Sequence, residues 1–132
     1  MSDEEIVDNN GVSFHGEVCI IRADLEGVTE LPQGAKEVKA DEQKRLLVAH
    51  SESGHHHYVN AAEAKFYGTD DPLVCYLQVA GQEAYLRHAK PASAPDRHKT
   101  QRLLKNKAKG NGLFIVKKAR EETPEGWRQV QD

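Results

Sequence analysis

No apolar run in this chain approaches the roughly 20 residues that a membrane-spanning helix needs. The stretch Met1 to Asn10 is acidic and polar. It lacks the basic start and apolar middle of a secretory signal, so an intracellular origin is expected, without membrane or signal-peptide secretion. Cysteine is scarce. Cys19 and Cys75 each sit inside an apolar run, which predicts two buried thiols. Two thiols are too few for a structural zinc site of thiolates. A disulfide between them stays open at this level, because it needs an oxidising compartment and neighbouring Cβ atoms. Apolar residues make up only 38% of 132 residues, a length suited to one domain with a thin core. A thin core fits a sheet buried on one face, or a protein that completes its burial in an assembly. The sequence also has no nucleophile elbow, phosphate loop or dinucleotide fingerprint, so no catalytic residue is assigned.

Charge is present but unevenly spread. Residues 1–96 hold 8 Lys/Arg against 17 Asp/Glu, a balance of −9. Residues 97–120 hold 9 Lys/Arg and no acid, a balance of +9, and residues 121–132 return to −3. The small total of −3 therefore hides an acidic body with one basic segment.

Hydrophobic patterning predicts a mainly β fold, a small barrel or rolled antiparallel sheet with one short helical, basic insertion. Residues 1–12 read as a polar, flexible N-terminal arm, and 13–132 as one β-rich domain with the insertion at 89–112. Strands are expected over His15 to Ile21, Ala35 to Val38, Leu46 to Ala49, His55 to Val59 and Lys65 to Tyr67. Further strands are expected over Leu73 to Val79, Ala84 to His88, Leu113 to Val116 and Trp127 to Val130. Leu31-Pro32-Gln33-Gly34 and Thr123-Pro124-Glu125-Gly126 carry turn chemistry. Lys99 to Lys109 is rich in helix formers and is closed by Gly110-Asn111-Gly112.

The centre of the chain reads His50-Ser51-Glu52-Ser53-Gly54-His55-His56-His57. On a strand, His55 and His57 share one face and His56 takes the other. A hairpin around Gly54 brings His50 back beside that pair. Three imidazoles on one face suit a divalent transition metal, zinc or iron among them. His98 is the best distant candidate for a further ligand, with His88 after it, and Glu52 or Glu63 could add a carboxylate. The expected metal set is His50, His55, His57 and His98. Three consecutive histidines also occur as a solvated turn, or bind metal adventitiously. A cupin plan can be laid over His55, His57, Glu63, Gly68 and His98, although His57 to Glu63 is too long and the later Pro-x-Gly is absent.

In its order of segments the chain resembles a largely uncharacterised family of small bacterial and phage proteins. Those proteins carry a Leu-Pro-x-Gly-Ala-Lys turn, an Ala-His-Gly-Glu-Val-Thr-Gly-His-x-His segment, a Glu-Glu-His and a final Glu-Tyr-Thr-Pro-Glu-Gly stretch. The counterparts here are Leu31 to Lys36, Ala49 to His57, Asp96-Arg97-His98 and Glu121 to Trp127, after an opening strand Gly16 to Ile21. The resemblance implies a purposeful histidine site and a virion or host-cytoplasm setting. It marks the basic 89–112 segment as longer than the family's short turn.

Arg97, Lys99, Arg102, Lys105, Lys107 and Lys109 fall within 13 residues. Nucleic acid is one partner for such a segment, but no aromatic residue interleaves to stack on bases. A second copy of the chain, or an acidic protein surface such as a capsid shell, fits the charge map better. The leading expectation is a non-enzymatic structural or interaction protein, a phage virion accessory such as a capsid decoration protein. The alternatives are a cupin-like metal-dependent enzyme and a nucleic-acid-binding module acting through 97–109.

Overall fold

A computed structural model of the chain describes residues 6–15, 18–49, 56–89, 100–105, 112–118, 120–123 and 126–129. The strands are β1 (Ile6–Asp8), β2 (Val12–His15), β3 (Val18–Arg22), β4 (Lys36–Val38), β5 (Arg45–Ala49), β6 (His56–Asn60) and β7 (Ala64–Gly68). They continue as β8 (Val74–Val79), β9 (Glu83–Ala89), β10 (Thr100–Leu104), β11 (Leu113–Lys118), β12 (Arg120–Thr123) and β13 (Gly126–Gln129). A single 3-10 turn, Ala23–Glu26, follows β3 and is closed by Gly27 in the left-handed region. The mainly β expectation holds. No helix among the described residues is long and apolar enough to cross a membrane.

Two sheets face each other. One has five strands in the order β1-β10-β9-β6-β5, and the other has six in the order β2-β3-β11-β8-β7-β4. Each has two edge strands, so the described strands form packed sheets and do not close into a barrel. Every pairing within them is antiparallel except β1 with β10. β12 and β13 form a separate hairpin.

The central strands β3, β11 and β8 of the six-stranded sheet are buried on both faces. Phe114 and Val116 of β11, with Cys75, Leu77 and Val79 of β8, point into the inter-sheet core. Their neighbours Leu113, Ile115 and Tyr76 join a second cluster on the other face, where Ala23, Val28 and Leu31 cover them. Continuous apolar strands such as Leu113-Phe114-Ile115-Val116 follow from this double burial. The five-stranded sheet buries one face. Its inner side chains fall in rows: Ala49–His57–His88; Leu46–Val59–Leu86–Gln101; and Ala84–Leu103. Its outer face carries Tyr58, Tyr85, Arg87 and Arg102.

Two expected segments differ. The helix expected within Lys99 to Lys109 is instead a strand where it is described, at Thr100–Leu104. Gln101 and Leu103 are buried while Arg102 and Leu104 are half-buried. That period of two, with partners available on both sides, outweighs a weak helix propensity. The described part of the 89–112 segment is therefore an internal strand of the sheet. The N-terminal arm is also structured from Ile6 onward, because β10 offers β1 an open edge.

At that corner Asn9 is buried and ties the sheets together. Its Nδ2 donates to the Ile20 carbonyl of one sheet at 3.1 Å and to Gln101 Oε1 of the other at 3.0 Å. Its backbone N–H donates to the Arg102 carbonyl at 2.9 Å, and its Oδ1 accepts from the Gly11 N–H at 2.8 Å. Gly11 has φ +116°, and a Cβ there would stand 2.9 Å from Leu25 Cδ1, so only glycine makes this turn without displacing Leu25.

Candidate functional site

Of the four expected metal ligands, His57 is described and His50, His55 and His98 lie outside the described residues. His57 is only 1% exposed. The β6 alternation that buries Val59 turns His57 to the same inner face, at the end of the core. β5 pairs antiparallel with β6 and sets Ala49 opposite His57. The bulge between Leu47 and Ala49 interrupts that ladder just before the Ala49–His57 pair.

On its other side His57 is in register with His88 of β9. The two rings have centroids 5.0 Å apart and are tilted by 40°. Both His88 ring nitrogens are shielded from solvent. Imidazoles sharing one tetrahedral ion, with metal–nitrogen bonds of about 2.0–2.1 Å, have centroids about 5.3 Å apart. The observed spacing therefore suits two ligands of one ion. His88, a secondary candidate in the sequence, is the histidine that the sheet register brings to His57. No cluster of three or more ligating side chains is found among the described residues.

The carboxylate expected to join the histidines does not. Glu63 Oε1 accepts the Tyr85 N–H at 3.0 Å, and Oε2 lies 4.0 Å from Arg87 Nη1. Its carboxylate is thus committed to Arg87, which alternates to the outer face, opposite His57 and His88. This also removes Glu63 from the cupin plan. Glu52 lies outside the described residues.

Both cysteines are free. Cys75 packs in the inter-sheet core and Cys19 joins the opposite face, with β11 between their strands. Two strand spacings put them about 10 Å apart, beyond disulfide reach. Burial pushes both thiols above their ordinary pKa.

The basic segment also reads differently. Arg97, Lys99, Lys107 and Lys109 lie outside the described residues. Arg102 is engaged within the chain. Its Nε and Nη2 grip Asp8 at 2.6 and 3.1 Å, and its Nη1 lies 3.8 Å from Glu83. The hydrogen bonds and charge of Asp8 push the guanidinium pKa up. Lys105 follows β10 beside a surface cavity of about 270 Å³, shared with Lys65, Gln78, Val79 and Ala80. Tyrosines do interleave with the arginines across the outer face. Arg45 lies 5.4 Å from the Tyr58 ring centroid and Arg87 lies 5.1 Å from that of Tyr85. Yet Arg45 is paired with Asp41, Arg87 with Glu63 and Arg102 with Asp8, so the face offers phosphate little uncompensated charge.

The Asn9–Gln101 clasp escaped sequence reasoning. An Asn in a polar segment and a Gln in a basic one carry no local signal of burial.

Residues 14–105 match a family described as a domain of unknown function, DUF8820. The chain belongs to the DUF8820 family. The DUF8820 match runs from the end of β2 to Lys105, so it includes His50, His55, His57, His88 and His98 and excludes β1, β11 and the β12–β13 hairpin. No curated protein and no solved structure matches the chain.

Proposed function

We propose that this protein is a non-enzymatic structural or interaction module whose histidine row holds a divalent transition metal, zinc or iron. The observation that carries the reading is the facing of His57 and His88 across β6 and β9 at a ring spacing of 5.0 Å. Their setting favours an ion that stiffens the fold over one that turns over substrate. The row ends an inter-sheet core made of aliphatic side chains, Phe66, Cys75 and Phe114, and Glu63, the nearest acid–base candidate of the sequence, is turned to Arg87. His50, His55 and His98 remain the proposed further ligands, with His57 and His88 as the pair that the register supports.

The specific biological form of this reading is a virion accessory such as a capsid decoration protein. It rests on the resemblance of the Leu31–Lys36, Ala49–His57 and Glu121–Trp127 segments to small bacterial and phage proteins. Detection of the chain in purified particles tests that part separately.

Elemental analysis of tag-free protein tests the metal. The expected result is about one ion per chain, lost in both His57→Gln and His88→Gln, with cobalt(II) giving the absorption of a tetrahedral site in the wild type only. Protein that is metal-free, and whose melting temperature does not move with zinc, cobalt or iron(II), overturns the proposal.

A further inference from the structure

Asn-Gly occurs twice in the sequence, and one copy, Asn10-Gly11, lies where the chain passes from β1 of one sheet to β2 of the other. An asparagine before glycine carries a latent intramolecular reaction. The glycine amide nitrogen, once base has taken its proton, can attack the asparagine Cγ held next to it in the chain. Glycine has no side chain to hinder that approach. Asn10 is exposed, so water and base reach it.

The nucleophile itself is held back. The Gly11 N–H donates to Asn9 Oδ1 at 2.8 Å, an Asx turn that closes over Asn10. Both ends of this turn are anchored, each to a different sheet. The Asn9 N–H donates to the Arg102 carbonyl of β10, and the Gly11 carbonyl accepts the Arg22 N–H of β3 at 2.7 Å. Asn9 Nδ2 is committed to the Ile20 carbonyl and Gln101 Oε1, which fixes where Oδ1 points. An amide hydrogen-bonded in this way yields its proton to base only after local opening. Reaction at Asn10 therefore waits for the clasp to open.

We infer that Asn10 is a self-modification site which the Asn9 clasp holds unreactive, and that its product is a permanent record of the corner having opened. The net change is one water in and one ammonia out, with no oxidation or reduction. The Gly11 nitrogen gives its proton to solvent and bonds to Asn10 Cγ, the Cγ–Nδ2 bond breaks, and ammonia leaves. Water then opens the succinimide ring. Attack at Cγ gives aspartate, and attack at the backbone carbonyl gives isoaspartate, in which the chain runs through Cβ and Cγ. Isoaspartate lengthens the backbone by one carbon between the two anchors. Asn9 and Gly11 then lose the spacing that lets both keep their partners, so the clasp does not re-form. This inference is independent of the metal and virion readings.

Incubation of the full chain at mildly alkaline pH, followed by peptide mapping, tests it. The readout is the amide-to-acid mass gain on the Asn10 peptide, kept apart from the second Asn-Gly at Asn111. The folded wild type should react at least about tenfold more slowly than the same chain in urea. Asn9→Ala, checked for folding by circular dichroism, should approach the urea rate. Leu77→Ala, which weakens the inter-sheet core away from the corner, should stay near the wild-type rate. In the isolated isoaspartyl chain the Gly11 amide should exchange fast, whereas Asn10→Asp, with the charge but without the extra carbon, should keep it slow. Should Asn9→Ala not fold, Gly11 exchange in the wild type decides: protection supports the inference, and exchange at the peptide rate overturns it. A folded wild type that reacts at the urea rate also overturns it. So does equal acceleration by Asn9→Ala and Leu77→Ala, or an isoaspartyl chain whose Gly11 amide stays protected.

Discussion

The two sheets of this protein divide its work. The six-stranded sheet is apolar on both faces at its central strands and puts Phe114 and Ile115, consecutive residues, into two different clusters. The five-stranded sheet is apolar on one face only, and that face contains polar interruptions. Among the described residues the buried polar side chains Asn9, His57, Thr100 and Gln101 all lie on it or on the corner that joins it to its neighbour. A side chain such as His57 costs stability when buried unless something satisfies it. The six-stranded sheet, with its second cluster, supplies apolar burial that offsets such a cost. Apolar burial is thus concentrated in one layer and the buried polar side chains in the other.

The largest test of this division is Phe114→Ala. It should destabilise the fold by about 3–5 kcal/mol, the usual range for a fully buried aromatic, read from the denaturant midpoint. A loss below about 1 kcal/mol would break the comparison, because Phe114 would not be anchoring the inter-sheet core. Next comes Asn9→Ala, which removes the clasp and leaves the Ile20 carbonyl and Gln101 Oε1 without their Asn9 donor. A loss of about 2–3 kcal/mol is expected, together with faster amide exchange along β1 than along β8. Equal exchange in both strands would mean that the sheets do not depend on this corner.

The smallest effect sharpens the picture inside the scaffold. Burial pushes the Cys75 thiol above its ordinary value near 9, so the folded state keeps the proton after the unfolded chain has lost it. Its contribution is fully present below that value and fades as pH rises through the folded one. Between about pH 8 and 10 the wild type should lose slightly more stability than Cys75→Val. At pH 8 alkylation should reach Cys19, which is half-buried, before Cys75.

Legibility followed the same division. Runs such as Leu73 to Val79 and Leu113 to Val116 are apolar throughout, and strand assignment from composition was accurate to a residue or two there. β5, β6 and β9 were also legible, because their inner residues alternate and turns bracket them. β10 was not. Its inner positions hold Gln101 and Leu103, its outer ones Arg102 and Leu104, and only pairing with β9 and β1 selects strand over helix. β1 and β2 were hidden for the same reason, since a short polar or exposed strand owes its conformation to a partner distant in sequence. Of the candidate site, the grouping of His57 on an inner face was legible from alternation. Its companion His88 stood only behind His98 as a candidate, because register between β6 and β9 is a tertiary property.

The pairing of β1 with β10 also sets an order of events. Ile6 lies opposite Thr100, and Asp8 grips Arg102 across 94 positions of chain. β1 precedes every other described strand in the chain, yet its partner β10 lies more than 90 residues further along. Contacts of such long range slow folding, since the loop must close before they form. During synthesis the β10 edge, and with it the Gln101 side of the clasp, emerges late, with β11, β12 and β13 of the described strands still to follow. Until then β1 waits as an unpaired strand.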